Sequence, residues 1–145
     1  MTALAQDKAR LRVGDAVSVA DFAVAANTDI FAGALVSVVG STGLAINAAT
    51  ATTHLVLGVA TFRCDNNPGA ASERRVQVET GVFEFANSTA GDAITVANVG
   101  QSCFVVDNDQ VALTNGGSTR SRAGIIVGVT STGVLVRVGF DMLNP

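Results

Sequence analysis

The sequence predicts an all-β protein: a small compact β-barrel or sandwich of short antiparallel strands, with one short helix and an extended N-terminal arm. Three observations predict it. Apolar, β-branched runs recur along the chain, separated by clusters of Gly, Asn, Asp, Ser and Thr. No long segment carries a 3.6-residue apolar period. And in "VQVETGVFEFA", Val76–Ala86, the apolar residues Val76 and Val78 fall on even positions, whereas Phe83 and Phe85 fall on odd ones. Strand side chains alternate faces with a period of two, so the apolar set changes sides at Gly81. A β-bulge or a sharp barrel corner produces that change, and glycine is the usual residue there.

In chain order, residues 1–13 form the arm and residues 14–145 a single β domain. The arm, "MTALAQDKARLR", has no strand or helix pattern, and Lys8, Arg10 and Arg12 are its candidate contact residues for a partner. Strands are expected over Ala16–Val24, Ile30–Val39, Leu44–Ile46, Leu55–Arg63, Arg75–Ala86, Ser102–Asp107, Gln110–Thr114, Ala123–Thr130 and Gly133–Phe140. The loop Asp65–Ser72 contains Pro68–Gly69, a strong turn signal. "VVDNDQVAL" reads as a hairpin turning at Asp107–Asp109. The one helix is a turn through Val96–Val99, capped by Thr95 and stopped by Gly100. An echo between Gly33–Ile46 and Gly124–Val136, each an apolar strand, Ser-Thr-Gly and a second apolar strand, suggests a closed or nearly closed barrel.

Composition narrows the function. Only 14% of the 145 residues are charged, against about 25% in ordinary soluble domains. Ile30–Phe62 contains no formally charged residue. A surface so poor in charge is expected to be covered by another protein. The uncharged run is broken by Gly33, Ser37, Gly40 and Asn47, so it is not a membrane span. Asp7, Lys8, Arg10 and Arg12 occupy the place of a signal-peptide apolar core, which points to folding in a cytoplasm. A net charge of −3 and the absence of Trp and Tyr argue against nucleic-acid binding. Arg74–Arg75 and Arg120/Arg122 read as solvated loop charge.

The catalytic inventory is short, and no enzyme activity, cofactor or metal is expected. His54 is the only histidine, and there is no G-x-S-x-G elbow to supply a nucleophile. Cys64 adjoins Arg63, which could depress its thiol pKa, but Cys64 and Cys103 read chiefly as reduced, buried residues. Two cysteines and one histidine without CxxC spacing do not make a zinc signature. "DNDQ" lacks the glycine and distal glutamate of a calcium loop. Asn87-Ser88-Thr89 is formally a glycosylation acceptor, unused in a cytoplasm.

The phrases "DIFAGALVSV", "HLVLGVAT", "RRVQVETGVFEFANS", "GDAITVANVGQSCFVVDNDQVALT" and "SRAGIIVGVTSTGVLVRV" follow one another through nearly the whole chain. Together they resemble the capsid decoration, or cement, proteins of tailed bacteriophages. Cys103 departs from the pattern, which more usually has an aromatic residue there. The resemblance implies a structural virion protein on the capsid exterior, synthesised in the host cytoplasm. Its partners would be the major capsid protein and copies of itself, most often as a homotrimer, with no nucleic acid and no membrane. The alternative reading is a small-ligand-binding β-barrel module, which requires a roomy polar-lined cavity.

Overall fold

The structure is a computed structural model and describes residues 19–140. The predicted arm over 1–13, with Lys8, Arg10 and Arg12, lies outside the described residues. Twelve strands are present among those described: β1 (Val19–Ala23), β2 (Thr28–Ile30), β3 (Leu35–Val39), β4 (Ala45–Asn47), β5 (His54–Ala60), β6 (Cys64–Asn66), β7 (Arg75–Glu79), β8 (Gly81–Phe85), β9 (Ser102–Val105), β10 (Val111–Ala112), β11 (Arg122–Val129) and β12 (Val134–Val138). They form a five-stranded sheet β1-β7-β5-β3-β4, a second five-stranded sheet β10-β9-β11-β12-β8, and the pair β2-β6. Every ladder is antiparallel.

The expected helix is absent. Val96–Asn98 makes a single 3₁₀ turn, as does Ala90–Asp92. Thr95 does stand at the N-terminal boundary, where the Asn98 side chain reaches back to accept from its backbone N–H at 2.8 Å. Gly100 then leaves the turn too early for an i→i−4 bond to propagate, and its N–H goes instead to the Ile126 carbonyl at 2.8 Å. Two further expectations change. Ile30–Val39 is two strands, separated by the turn in which Ala34 N–H bonds Phe31 O. The segment expected as loop from Asp65 begins inside β6, whose three residues pair with β2.

Gly81 lies where the chain changes sheets. β7 pairs with β1 and β5, and β8, one residue later, pairs with β12. Val76 and Val78 are fully buried in the core of the first sheet. Phe85 is buried in the core of the second, with Phe83 packed against it. Gly81 has φ +154°, a conformation that side-chain-bearing residues rarely adopt, so one backbone bend sends a single long strand into two sheets.

Each sheet curls until its edge strands meet. A parallel bridge joins Val24, just after β1, to Ala45 of β4, and another joins Ala86, just after β8, to Gln110, just before β10. The two sheets also share one topology: β1-β7-β5-β3-β4 corresponds strand for strand to β8-β12-β11-β9-β10. The registers agree up to a bulge at Val127 in the β11–β12 ladder. Val19 pairs with Glu79 and Val59 with Glu79 in the first; Val82 pairs with Arg137 and Ile125 with Arg137 in the second. Both halves carry a one-residue bulge at the same place, Leu57 opposite Val36–Ser37 and Ala123 opposite Cys103–Phe104. Even the turn bonds repeat: Gly33 N–H to Ala60 O and Ala60 N–H to Ala34 O match Gly100 N–H to Ile126 O and Ile126 N–H to Gln101 O.

The second half therefore repeats the first, although not in the alignment the Ser-Thr-Gly echo suggests. That echo sets β3–β4 against β11–β12, whereas the structural counterparts are β3–β4 with β9–β10. Glycine explains part of the shared frame. A Cβ on Gly58 would lie 2.5 Å from Glu79 O, and one on the equivalent Gly124 would lie 3.0 Å from the Arg137 carbonyl carbon and closer to its oxygen. Both strands need a residue without a side chain at the crossing.

Candidate functional site

The repeat supplies an internal comparison for the surface. In β8, β12 and β11, Phe85, Val134, Val136 and Ile126 point into the core. The alternate residues Val82, Leu135, Ile125 and Val127 therefore point outward. Val82 and Val127 are 47% and 44% exposed, and Leu135 and Ile125 are half-buried. The 3₁₀ turn against β11 adds Val96 and Val99, 73% and 49% exposed. Glu84 and Arg137 flank this apolar stripe. Glu84 accepts from Thr132 at 2.7 Å and Thr130 at 3.1 Å.

Two of the four equivalent positions of the first sheet are polar. Where the second sheet has Leu135 and Val127, the first has Gln77 and Thr61, whose side chains hydrogen-bond at 2.9 Å. Where the second has Arg137, the first has Glu79. Val19 matches Val82, and Val59 matches Ile125. Since one frame tolerates both surfaces, the fold does not require the apolar one. Its apolar residues Val127 and Leu135 therefore have no counterpart in the needs of the frame.

Sequence reasoning placed the covered surface in the uncharged run Ile30–Phe62. Most of that run is core or hairpin, although Phe31, Leu55 and Phe62 are exposed. Phe31 lies under the Arg63 guanidinium, 4.9 Å from its ring centroid, and Arg63 is held by Asp29 at 2.7 Å. The signal for the actual stripe was present in "AGIIVGV" and "VLVRV", where consecutive apolar residues leave both strand faces apolar.

A cleft of about 290 Å³ opens where β5 meets β11, lined by Thr52, His54, Leu55, Val56, residues 120–124, Gly139 and Phe140. His54, at the start of β5, is half-buried, and its Nδ1 is buried without a hydrogen-bond partner. The Ser121 hydroxyl, at the same cleft, donates to the Ala51 carbonyl. Arg120 is not solvated loop charge. Its side chain is 18% exposed and pairs with Asp92 at 2.8 Å. The Thr114 hydroxyl and then Arg120 hold the Asp92 carboxyl below its ordinary value. Arg75 is an exposed ion pair with Asp21 at 2.6 Å, which lowers the Asp21 pKa through that hydrogen bond.

Both cysteines are free and buried. Burial pushes the Cys103 thiol up to about 12 and also raises Cys64. The expected help from Arg63 fails because that guanidinium is committed to Asp29, whose carboxyl it holds low. Asp107 and Asp109 are turn residues, with Asp109 N–H donating to the Asp107 carboxylate at 2.8 Å. Asn87 clamps a loop, donating to Ile94 O at 2.8 Å and accepting from Ile94 N–H at 2.9 Å. Among the described residues no group of three or more His, Cys, Asp or Glu side chains is arranged to hold a metal. No protein-family model, curated protein or solved structure matches the chain.

Proposed function

We propose that this chain is a structural virion protein that binds the outer surface of a bacteriophage head and stabilises the capsid, without enzymatic activity. The observation that carries the reading is the outward apolar stripe of Val82, Ile125, Val127 and Leu135, in which Val127 and Leu135 stand where the other half has the polar pair Thr61 and Gln77. The resemblance of the strand and turn phrases to capsid decoration proteins supplies the partner, the major capsid protein, and the homotrimeric assembly. Lys8, Arg10 and Arg12 are the proposed contacts of the arm with the shell or a neighbouring subunit, through charge-assisted bonds to acidic groups.

The direct test is co-sedimentation with expanded, undecorated heads of the phage. The most informative variant copies the first sheet into the second: Val127→Thr with Leu135→Gln. It should fold with a thermal midpoint close to wild type, because the frame already accepts that pair, and should lose most head attachment. Wild-type protein that stays in the supernatant at micromolar concentration rejects the reading. Full attachment by the double variant removes the stripe from it.

A further inference from the structure

Asn115 is the only asparagine in the chain that is followed by glycine. An asparagine side-chain amide lies within reach of the next residue's backbone nitrogen, and joining the two closes a five-membered succinimide ring. A Cβ on the following residue obstructs that approach, and glycine has none.

The loop between β10 and β11 gathers the groups that ring closure needs. Asn115 is exposed, and its Oδ1 accepts from Ser118 N–H at 3.2 Å. That donor sits on the oxygen that gains negative charge when the amide carbon is attacked. Gly116 N–H makes only a long contact, 3.4 Å, with the Thr114 hydroxyl oxygen. The Arg120 guanidinium packs on Gly116: a Cβ built there would lie 3.1 Å from Arg120 Nε and 2.6 Å from Thr119 Oγ1. A cation at that place favours loss of the Gly116 amide proton. Arg120 is itself fixed through Nη1, which donates to Asp92 at 2.8 Å and to the Thr114 carbonyl at 3.1 Å. Asn87 is the contrast. Its Oδ1 and Nδ2 are both bonded to Ile94, at 2.9 and 2.8 Å, and Ser88 follows it. That amide is clamped, and its neighbour carries a Cβ.

We propose that Asn115 is a self-modifying site, at which the Gly116 amide converts the side chain to aspartate and isoaspartate and loosens the Arg120–Asp92 pair. The Gly116 nitrogen bonds to Asn115 Cγ, the Cγ–Nδ2 bond breaks, and the amine leaves as ammonia with the Gly116 proton. Water then opens the ring. Addition at Cγ gives aspartate; addition at the backbone carbonyl carbon gives isoaspartate, whose main chain runs through Cγ. No electrons are transferred, and water is the only co-reactant. Either product adds one negative charge near Arg120. In isoaspartate, the carbonyl that accepts from Thr119 and Arg120 N–H at 2.9 and 3.0 Å becomes a free carboxylate, which competes with Asp92 for the guanidinium.

The test incubates the full-length folded protein at mildly alkaline pH and maps its peptides by mass spectrometry over time. Exchange of amide for carboxylate at Asn115, with isoaspartate identified by backbone fragmentation, is expected at least about tenfold faster than at Asn87, a barrier difference of about 1.4 kcal/mol. The converted protein, separated by ion exchange, should melt about 3 °C below fresh protein, the scale of one lost hydrogen bond in a chain of this size. Asn115→Ser should keep its melting temperature through the same incubation. An Asn115 peptide that stays unconverted in the folded protein, while it converts in urea, overturns the proposal. So does conversion no faster than at Asn87. Converted protein that melts with the fresh chain overturns the link to Arg120. The wild-type peptide map decides the chemistry if Asn115→Ser fails to fold.

Discussion

Gly124→Ala tests the packing that the two halves share. The residue lies in β11 beside β12, and its backbone φ is ordinary, so the penalty is steric and not conformational. An added Cβ would stand 3.0 Å from both the Arg137 carbonyl carbon and Val136 Cγ1, and nearer still to Arg137 O. Relaxed carbon contacts lie at about 3.5–4.0 Å, so β11 and β12 must separate by at least about 0.5 Å. Overpacking of this kind costs about 1–3 kcal/mol. Opening the Ile125–Arg137 rung weakens ladder hydrogen bonds worth about 1 kcal/mol net each. A loss of about 3 kcal/mol is therefore expected. Unfolding entropy of about 2.1 cal/mol/K per residue gives about 0.3 kcal/mol/K for the chain, so the midpoint should fall by about 10 °C. Gly58→Ala should behave similarly, with a 2.5 Å approach to Glu79 O and a φ of +150°. Gly91→Ala, where nothing lies within 4 Å, is the control. Thermal and urea unfolding measure all three. A Gly124→Ala midpoint within about 2 °C of wild type would refute the crossing argument, because such a shift corresponds to well under 1 kcal/mol.

Two further perturbations probe the loops that fix the second sheet. Asn87→Ala removes both hydrogen bonds to the backbone of the buried Ile94, so urea unfolding should report a loss of about 2 kcal/mol; Asn87→Asp, which keeps only the acceptor, should fall between. Asp92 gives a pH dependence. Its folded pKa is depressed below the ordinary value of 3.8 by the Thr114 hydroxyl and Arg120, so its contribution is complete above 3.8 and disappears as pH falls through the folded value. Asp92→Asn should lower the melting temperature at neutral pH and flatten its decline below pH 3.8; an unchanged acid limb would show that the carboxylate carries no linkage.

The sequence made the sheet change at Gly81 legible because parity is a strict local signal. Val76 and Val78 could not share a face with Phe83 and Phe85 in one regular strand, and the backbone had to bend between them. The helix over Val96–Val99 was misread because its signals, a Thr cap and a Gly stop, describe only the ends. With only four residues between them an α-helical ladder cannot propagate, and Val96–Asn98 closes as a 3₁₀ turn. β6 was missed because Cys64–Asn66 has no alternation of its own. Tertiary contact makes it a strand: Cys64 is buried against the first core, and Asn66 bonds the carbonyls of Ala25 and Ala70 at 3.0 Å each. The cleft was visible only as an isolated His54 and an Arg120/Arg122 pair, sixty-odd residues apart, and nothing local brings them together.

The repeat was harder to read, for a reason that also bears on function. What the halves share is what the backbone needs: Gly58 and Gly124 at the strand crossing, Gly33 and Gly100 just before β3 and β9, and valines at Val76/Val134 and Val78/Val136 in the two cores. Such residues are common in any β protein, so their recurrence is weak evidence in a single sequence. What the halves do not share is what solvent or a partner meets: Gln77 against Leu135, Thr61 against Val127, Glu79 against Arg137, His54 against Arg120. A selected frame with divergent surfaces separates the demands of folding from the demands of contact, position by position. Val127 and Leu135 of the apolar stripe fall in the second class. So do Arg120 and Arg122, whose counterparts His54 and Val56 occupy the same register without a second guanidinium. The same subtraction, made for each outward pair, marks Val19 and Val82 as the exposed apolar residues that both halves keep. Equivalent valines at the open edge of β1 and β8 belong to the frame, and the specificity of the surface lies in the residues around them.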